Sequence, residues 1–545
     1  MATAASPVDA ALAAWRSVLG PDRVVTDAAV LGRYAASTSS WSTQPVAILH
    51  PHNTDEVVRI VQGATSGRVP LYPISAGRNW GYGDACAPGD GHAIVDLTGM
   101  NRILEVNAEL AYVVIEPGVT QQQLSRYLLE HDLPLWMDST GAGPDTSLMG
   151  NILERGFGHS PYGNRFQNVA GMRIVLANGE VVDTGFGHFP TAGNHRVYPY
   201  GVGPFVDGLF TQSNMGIVTS LGLWLMPKTT ALNHFLCTVE EHADIAPVID
   251  VLRPLRMDGT LRSIVHIGND LRVLSGGSTF PRQLAGDATP LPEALRAQMR
   301  RAAGVGAWTV SGALYGNPDQ VAAARRAVRR ALHATRARVR FLDERKLAAG
   351  ALVARLLGRT RLGRQLTAKV ALGRSLFEMN RGIPNGRFLA GAYWRRRGGL
   401  PADFPVNANP ALDNCGMLWV SPVLPMRGAD LLRVHALAEP IFGAHRFDLF
   451  VTFSMINERA LGGVLTVTYD KEDPEEAARA GRCYRQLFDT LVGAGYIPYR
   501  VGLQSMADLD NGNDTYWQMI GRIKAALDPH GVIAPGRYAG KGVSD

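Results

Sequence analysis

The stretch Pro73-Ile74-Ser75-Ala76-Gly77-Arg78-Asn79-Trp80-Gly81-Tyr82-Gly83 constrains the fold most, because a glycine-rich loop directly follows the short apolar strand Leu71-Tyr72-Pro73-Ile74. A loop of this kind turns successive backbone N–H groups toward one point, the arrangement that holds a pyrophosphate, and Ser and Asn side chains add donors. No GxGxxG follows a strand and opens a helix, and no Walker A sequence is present. The common Rossmann and P-loop folds therefore lack support. The chain has 60 glycines in 545 residues, well above the average of about 7%, so many positions need positive φ or close backbone approach.

Around the loop, strand and helix alternate. Pro45-Val46-Ala47-Ile48-Leu49 reads as a strand, and Asn53-Thr54-Asp55-Glu56 opens an amphipathic helix over Val57–Ser66 with acids in its first turn. Further strands are expected at 71–74, 93–97 and 111–115, a helix at 121–131, and helix through 7–35. The pattern predicts an α+β fold with short strands and glycine-rich turns. A composition shift near Pro227-Lys228 predicts a boundary: a first domain over 1–230, completed by about 501–545, and a second α+β unit over 231–500. No internal repeat is visible.

Composition excludes several classes. With 46% hydrophobic residues and this length, the chain buries a large core and disorder is not its dominant state. Cys86, Cys237, Cys415 and Cys483 form no CxxC pair, so neither a metal site nor a disulfide framework is expected. No apolar run approaches the roughly 20 residues of a membrane span, and no basic residue precedes Arg16. The expected location is cytoplasmic. Residues 321–370 hold 14 Lys/Arg against Asp343 and Glu344, a local +12, which leaves −6 for the remainder of a chain of net +6. No nucleic-acid motif accompanies that charge. A subunit contact within a homo-oligomer is the expectation there, with Leu342, Leu347, Leu356, Leu357, Leu362 and Leu366 buried in it. A membrane-surface helix has the same amphipathic spacing and is one alternative, an unpartnered solvent face the other.

Pro73–Gly83 is one of eight ordered motifs. The others are Leu104-Glu-Val to Glu116-Pro-Gly-Val-Thr120, Met149-Gly-Asn151 to Glu154-Arg-Gly156, Ser160-Pro-Tyr-Gly163, Val175-Leu-Ala-Asn-Gly-Glu180, Asp207-Gly-Leu-Phe210, Ser213-Asn-Met-Gly-Ile-Val-Thr219 and Ile533-Ala-Pro-Gly536. Together they resemble the vanillyl-alcohol oxidase and p-cresol methylhydroxylase flavoproteins, densely over 45–230 and more thinly over 415–540. The resemblance implies a two-subdomain FAD-binding domain and an α+β cap over the flavin. It implies that Ser75, Gly77, Arg78, Asn79 and Gly81 contact the FAD pyrophosphate, that Gly150 and Asn151 lie close to the cofactor, and that Ile217 and Arg537 help hold it. It also implies that Tyr82, Tyr499 and Arg500 bind the oxygen of a para-substituted phenol whose benzylic carbon gives hydride to flavin N5 through a quinone methide. The electron acceptor would be dioxygen or another molecule.

The sequence also departs from that family. The oxidases carry a FAD-linking histidine four residues before a Ser-Pro, where this chain has Met417. The methylhydroxylases use a tyrosine further upstream, and Gly398–Ser421 contains neither Tyr nor His. FAD is therefore expected to be bound without a covalent link. The oxidases' acid/base aspartate aligns with Gly141; Asp145 is the acid that a shifted loop would bring to the same space. His159 stands where the oxidases have an active-site tyrosine, so an imidazole is expected in the pocket. Two alternatives keep this fold: oxidation of a non-phenolic alcohol or hydroxy acid, and a flavin-binding partner protein acting through 321–370.

Overall fold

The computed structural model describes residues 6–286, 288–510 and 514–539. It has an α+β architecture of three principal sheets. In the first, Val24–Val25, Ala47–Leu49, Ala93–Asp96 and Leu71–Ile74 lie in that spatial order, the last three parallel. Parallel neighbours need a crossover, and the helix Thr54–Gly67 provides it. Asn53 caps this helix by accepting the Glu56 N–H at 2.9 Å, and Val57, Ile60, Val61 and Ala64 form its buried stripe. The helix Pro7–Leu19 packs on it, and the Trp15 indole donates to the Ile60 carbonyl at 3.0 Å. The C-terminal segment returns to this sheet: Leu71 N–H donates to Val532 O at 2.7 Å and Ala534 N–H to Leu71 O at 2.8 Å. That return carries Arg537 to the phosphate-loop end of the strand Leu71–Ile74. Residues 540–545, the far end of the expected C-terminal segment, lie outside the described residues.

The second sheet is antiparallel, in the order Ile103–Asn107, Tyr112–Ile115, Ile217–Trp224, Val169–Val175, Val181–Asp183. The third is the largest, with eight strands, all from residues 231–469. Its central run is Ala231–Val239, Trp308–Gly316, His266–Asn269, Phe450–Met455, Ala460–Tyr469 and Gly416–Val420. Side chains alternate between its faces. One face is apolar and covered by the helices Ile245–Met257, Pro318–His333, Gly428–Ala444 and Pro474–Gly493, with Ile249, Val328, Val434 and Leu487 in the core. The other face presents Ser311, His266, Ser454, Thr452, Thr466 and Trp419 to a large cavity.

The helix expected through 7–35 is instead two helices, Pro7–Leu19 and Ala28–Tyr34. Gly20 adopts φ +84° and Pro21 follows it, so the first helix ends there, and Val24–Val25 pairs with Leu49 and Ile48 as an edge strand. The basic region forms the helix Pro318–His333, the strand Arg338–Leu342 and a hairpin of the helices Glu344–Leu357 and Arg361–Asn380. Its leucines do not share one environment. Leu347 is buried within the chain, whereas Leu352, Val353, Leu356 and Leu362 are exposed. Small residues set that division: a Cβ on Gly373 would meet Leu347 at 2.9 Å, and one on Gly350 would meet Val370 at 3.0 Å. Close helix approach along this seam leaves the larger apolar side chains outside.

Candidate active site

A cavity of about 490 Å³ opens between the phosphate loop, the short helix Leu148–Leu153 and the polar face of the eight-stranded sheet. Twelve of the residues singled out in the sequence line it: Ser75, Gly77, Arg78, Asn79, Tyr82, Gly150, Asn151, His159, Ile217, Tyr499, Arg500 and Arg537. Gly81 does not line it. Its φ is +75°, and a Cβ there would sit 2.7 Å from the Trp419 indole, so this glycine serves close packing beneath the loop.

The loop end of the cavity fits a dinucleotide pyrophosphate. Among the described residues, the backbone N–H groups of Ser75, Ala76, Gly77, Arg78 and Asn79 donate to no protein acceptor. Five adjacent unpaired donors turned into a cavity are an anion site. Gly77 has φ +61°, and a Cβ on it would press Ala85 at 2.8 Å. A Cβ on Gly150 would lie 3.2 Å from Ser75, so the helix bearing Gly150 and Asn151 rests directly on the loop. Arg78 pairs with Asp145 at 3.4 Å. Asp145 therefore faces the loop's arginine and does not line the cavity, while Gly141 does.

At a second corner Tyr82, Tyr499 and Arg500 meet. The Tyr82 hydroxyl lies 2.5 Å from Ser421 Oγ and interacts with the Tyr499 hydroxyl. The Arg500 guanidinium sits 4.3 Å above the Tyr82 ring. Three contacts fix these groups. Trp419 packs edge-on against Tyr82, Phe157 packs against Tyr499, and the Tyr499 N–H donates to Ser421 O at 3.1 Å. Burial is the main reason that both phenols ionise above their usual 10, with Arg500 opposing it. Both hydroxyls therefore remain donors near neutrality. Arg500 also donates to Asn79 Oδ1 and lies 3.1 Å from Glu154, with its Nε–H not aimed for a hydrogen bond. Arg537 pairs with the other oxygen of Glu154 and donates to the Tyr72 hydroxyl at 2.8 Å.

The third corner carries imidazoles. His159 and His266 pack with ring centres 4.3 Å apart, and His266 Nδ1 lies 2.8 Å from Ser454 Oγ. Burial, then the neighbouring histidines and Arg165, holds His159 well below 6.5; burial brings His266 and His234 down to about 4. All three are neutral at pH 7. The His159 loop is pinned by Asp138, whose Oδ1 accepts the His159 N–H at 3.0 Å and the Ser160 N–H at 2.8 Å. Asp138 Oδ2 takes a 2.7 Å bond from the buried Arg165, which also reaches Asn151 Oδ1 at 3.0 Å. Two carboxylates line the cavity, Asp84 and Glu154. Glu154 is engaged by two arginines. Asp84 is held by the Thr38 N–H and hydroxyl and is pushed up to about 7 by burial.

Sequence reasoning did not single out Glu154, Asp138, Arg165, Ser421 or His266. Glu154 does stand inside one of the quoted motifs; the others carry no local signal, because their partners are distant in sequence.

Residues 45–185 match the FAD binding domain family. The chain is 40% identical to the 1'-carboxy-chondrochloren decarboxylase of Chondromyces crocatus, over 98% of this chain and 97% of that protein. It is 30% identical to the 4-cresol dehydrogenase (hydroxylating) flavoprotein subunit of Pseudomonas putida, over 96% and 94%. The crystal structure of p-cresol methylhydroxylase with substrate bound superposes with a TM-score of 0.86 at 29% identity, covering 99% of this chain and 98% of that one.

The neutral histidines make stability depend on pH. The unfolded chain titrates His234 and His266 near 6.5 and the folded protein near 4. As pH falls, the unfolded state binds protons first. The stabilisation is thus complete above about pH 6.5 and is lost between 6.5 and 4, on the order of 3 kcal/mol for each histidine. The urea midpoint of the holoenzyme should fall steadily below pH 6.5, and His266→Gln should flatten that slope; a midpoint flat down to pH 4.5 would contradict this burial.

Proposed function

The chain belongs to the p-cresol methylhydroxylase family of phenol-oxidising flavoproteins and is an FAD-dependent oxidoreductase, and on that premise we propose that it oxidises a para-substituted phenol at its benzylic carbon. The observation that carries the proposal is the corner where two protonated tyrosines and an arginine converge. Binding a phenol as phenolate at pH 7 costs about 4 kcal/mol, three pKa units at 1.36 each. Hydrogen bonds to a charged acceptor contribute roughly 1.5–3 kcal/mol each, so the Tyr82 and Tyr499 hydroxyls together offset that cost, and Arg500 adds to them. With Arg500 and Arg537 sharing the single carboxylate of Glu154, the corner keeps one uncompensated positive charge, the sign a phenolate needs.

Bound FAD supplies the two-electron acceptor, held at the unpaired N–H groups of 75–79, Gly150, Asn151, Ile217 and Arg537. The chain's residues do the rest. Tyr82, Tyr499 and Arg500 hold the phenolate oxygen, so that ring electron density assists hydride loss from the benzylic carbon and a quinone methide forms. Neutral His159 and His266, which line the same cavity, accept the proton of a water that adds to it in this reading.

A second outcome is favoured by a specific observation: neither lining carboxylate is a free base, and a 40% identical relative is named a decarboxylase. If the substrate carries a carboxylate on the carbon beside the benzylic one, hydride loss is followed by cleavage of the bond to that carboxylate. Its electron pair becomes the new C=C bond, the ring returns to phenolate, and carbon dioxide leaves with no proton removed from carbon.

Two measurements test these readings. Arg500→Lys replaces a planar fork by a point charge. Losing a charge-assisted contact of about 2–3 kcal/mol should lower kcat/KM for 4-alkylphenols by roughly 30- to 150-fold, whereas a change under threefold with flavin occupancy intact would put the phenolate site elsewhere. FAD is proposed to be held without a covalent bond, since Met417 and not a histidine lines the cavity at that position. Acid precipitation should release yellow cofactor into the supernatant, and a yellow pellet would refute it.

We further propose that the basic hairpin is a contact between copies of this chain. It exposes Leu352, Val353, Leu356 and Leu362 among arginines, and the −6 remainder of a second copy offers the complementary charge. Light scattering should find an oligomer that survives high salt and that Leu356→Glu weakens. A monomer that pellets with anionic liposomes only at low salt would make the hairpin a membrane surface instead.

A further inference from the structure

Among the described residues Arg272 has no hydrogen-bond or ion-pair partner for its side chain. It lies on the short helix Asp270–Leu274, which leaves the strand His266–Asn269 with Asn269 as its cap. The neighbouring carboxylate, Asp270, is turned away and taken by Arg296 through two bonds of 2.7 Å. The stem of Arg272 covers Gly268, where a Cβ would meet Arg272 Cγ at 3.7 Å. Its Nη1 lies against Gly391, whose Cβ would sit 3.0 Å from it, with the Ser275 hydroxyl beside the same spot. Among the described residues no carboxylate, carbonyl or hydroxyl bonds the guanidinium, and no ion pair includes it. A guanidinium cannot shed its charge, and this one, half-buried, has no counter-ion among the described residues. The open side of this one faces the cavity.

The position relative to the phenol corner follows from sheet register. Gly268 lies opposite Thr452, Thr452 opposite Val464, and the adjoining Thr466 opposite Trp419. Trp419 packs on Tyr82. Three strand spacings of about 4.8 Å, or roughly 14 Å, separate the strand under Arg272 from the strand under the phenol corner. Between them lie Thr452, Phe450 and Val464, with no charged side chain on that stretch of the lining. The cavity thus has a cationic, hydrogen-bonding corner for the ring oxygen and a second, unpaired cation at the far end.

We propose that Arg272 binds a carboxylate at the end of the substrate's para side chain, so that the protein prefers 4-hydroxyphenyl alkanoic acids to neutral alkylphenols. This rests on the phenol reading and narrows it: the hydroxyl end fixes the ring, and Arg272 fixes the side chain and selects its charge. Arg272 is a specificity-determining residue here and takes no part in the hydride step.

The test measures ligand binding by calorimetry to the dithionite-reduced holoenzyme under anaerobic conditions, where the flavin can accept no hydride and no turnover occurs. Three ligands are compared: 3-(4-hydroxyphenyl)propanoate, its primary amide, and 3-(4-methoxyphenyl)propanoate. Wild-type protein should bind the acid roughly 10- to 150-fold more tightly than the amide, the range of one charge-assisted contact. Arg272→Met should abolish that preference while leaving the Kd of the amide and the flavin content within threefold, and Arg272→Lys should restore part of it. Gly391→Ala keeps Arg272 but drives a methyl against its guanidinium, and should lower the same preference should the Met variant fold poorly. Equal wild-type binding of acid and amide, or a preference that survives Arg272→Met, overturns the proposal. So does loss of flavin from Arg272→Met, which would make the cofactor the anion that Arg272 serves. Failure of the underlying phenol reading looks different: the methoxy acid would then bind as well as the hydroxy acid, with the preference for acid over amide intact.

Discussion

Glu154 is the point on which the site depends. Its carboxylate accepts Arg537 on one oxygen and faces Arg500 on the other, and these residues come from the FAD-binding region, the C-terminal segment and the end of the long central stretch. Without it two guanidiniums would stand side by side in a poorly solvated corner. Each would repel the other, and Arg500 would lose the restraint that keeps it 4.3 Å over Tyr82. A buried ion cluster is weak evidence for stability, because desolvation consumes much of its Coulomb energy. Its use here is geometric. One carboxylate against two cations holds both in place and leaves a net positive corner.

A second network fixes the opposite wall. Arg165 is almost wholly buried and reaches Asp138, Asn151 and Gln121. Asp138 in turn holds the backbone of His159 and Ser160. Gly158 is required beside them, since a Cβ there would fall 1.8 Å from Asp138 Oδ2. The same Arg165 that fixes the histidine loop therefore also fixes Asn151 next to the phosphate loop. Cofactor end and imidazole end are coupled through one side chain.

Much of this was legible in the sequence, and the illegible part has a physical pattern. Local signals were read: the strand at 71–74, the glycine-rich loop after it, and the helix capped by Asn53 each depend on neighbours within a few residues. Tyr82, Tyr499 and Arg500 lie more than 400 residues apart in part, and only the ordered motifs of the resemblance brought them together. Pairings made by tertiary structure alone were not read. Nothing near Asp138 announces Arg165, and nothing near Arg272 announces that among the described residues it lacks a partner while Asp270 beside it has one. The basic hairpin is the converse case. Leucine spacing gives the faces of a helix but not which face a neighbouring helix covers, and the glycines Gly350 and Gly373 decided that.

The charge states around the cavity lead to one more consequence. Tyr82 and Tyr499 remain protonated well past neutrality, and His159, His234 and His266 remain neutral down to acid pH. Among the cavity groups whose titration is displaced, Asp84 alone comes near neutrality, at about 7, and it faces the turn at Thr38 rather than the phenol corner. The binding groups are thus in one protonation state across the range in which a phenol and a carboxylic acid differ most. Any change of substrate affinity between pH 6 and 9 must then come chiefly from the ligand: a carboxylate is already ionised there, whereas a phenol with pKa near 10 becomes easier to bind as phenolate with each step upward. The proposed phenol site would pull on that equilibrium most where the solution disfavours it, and its donors, resisting ionisation themselves, suit that task.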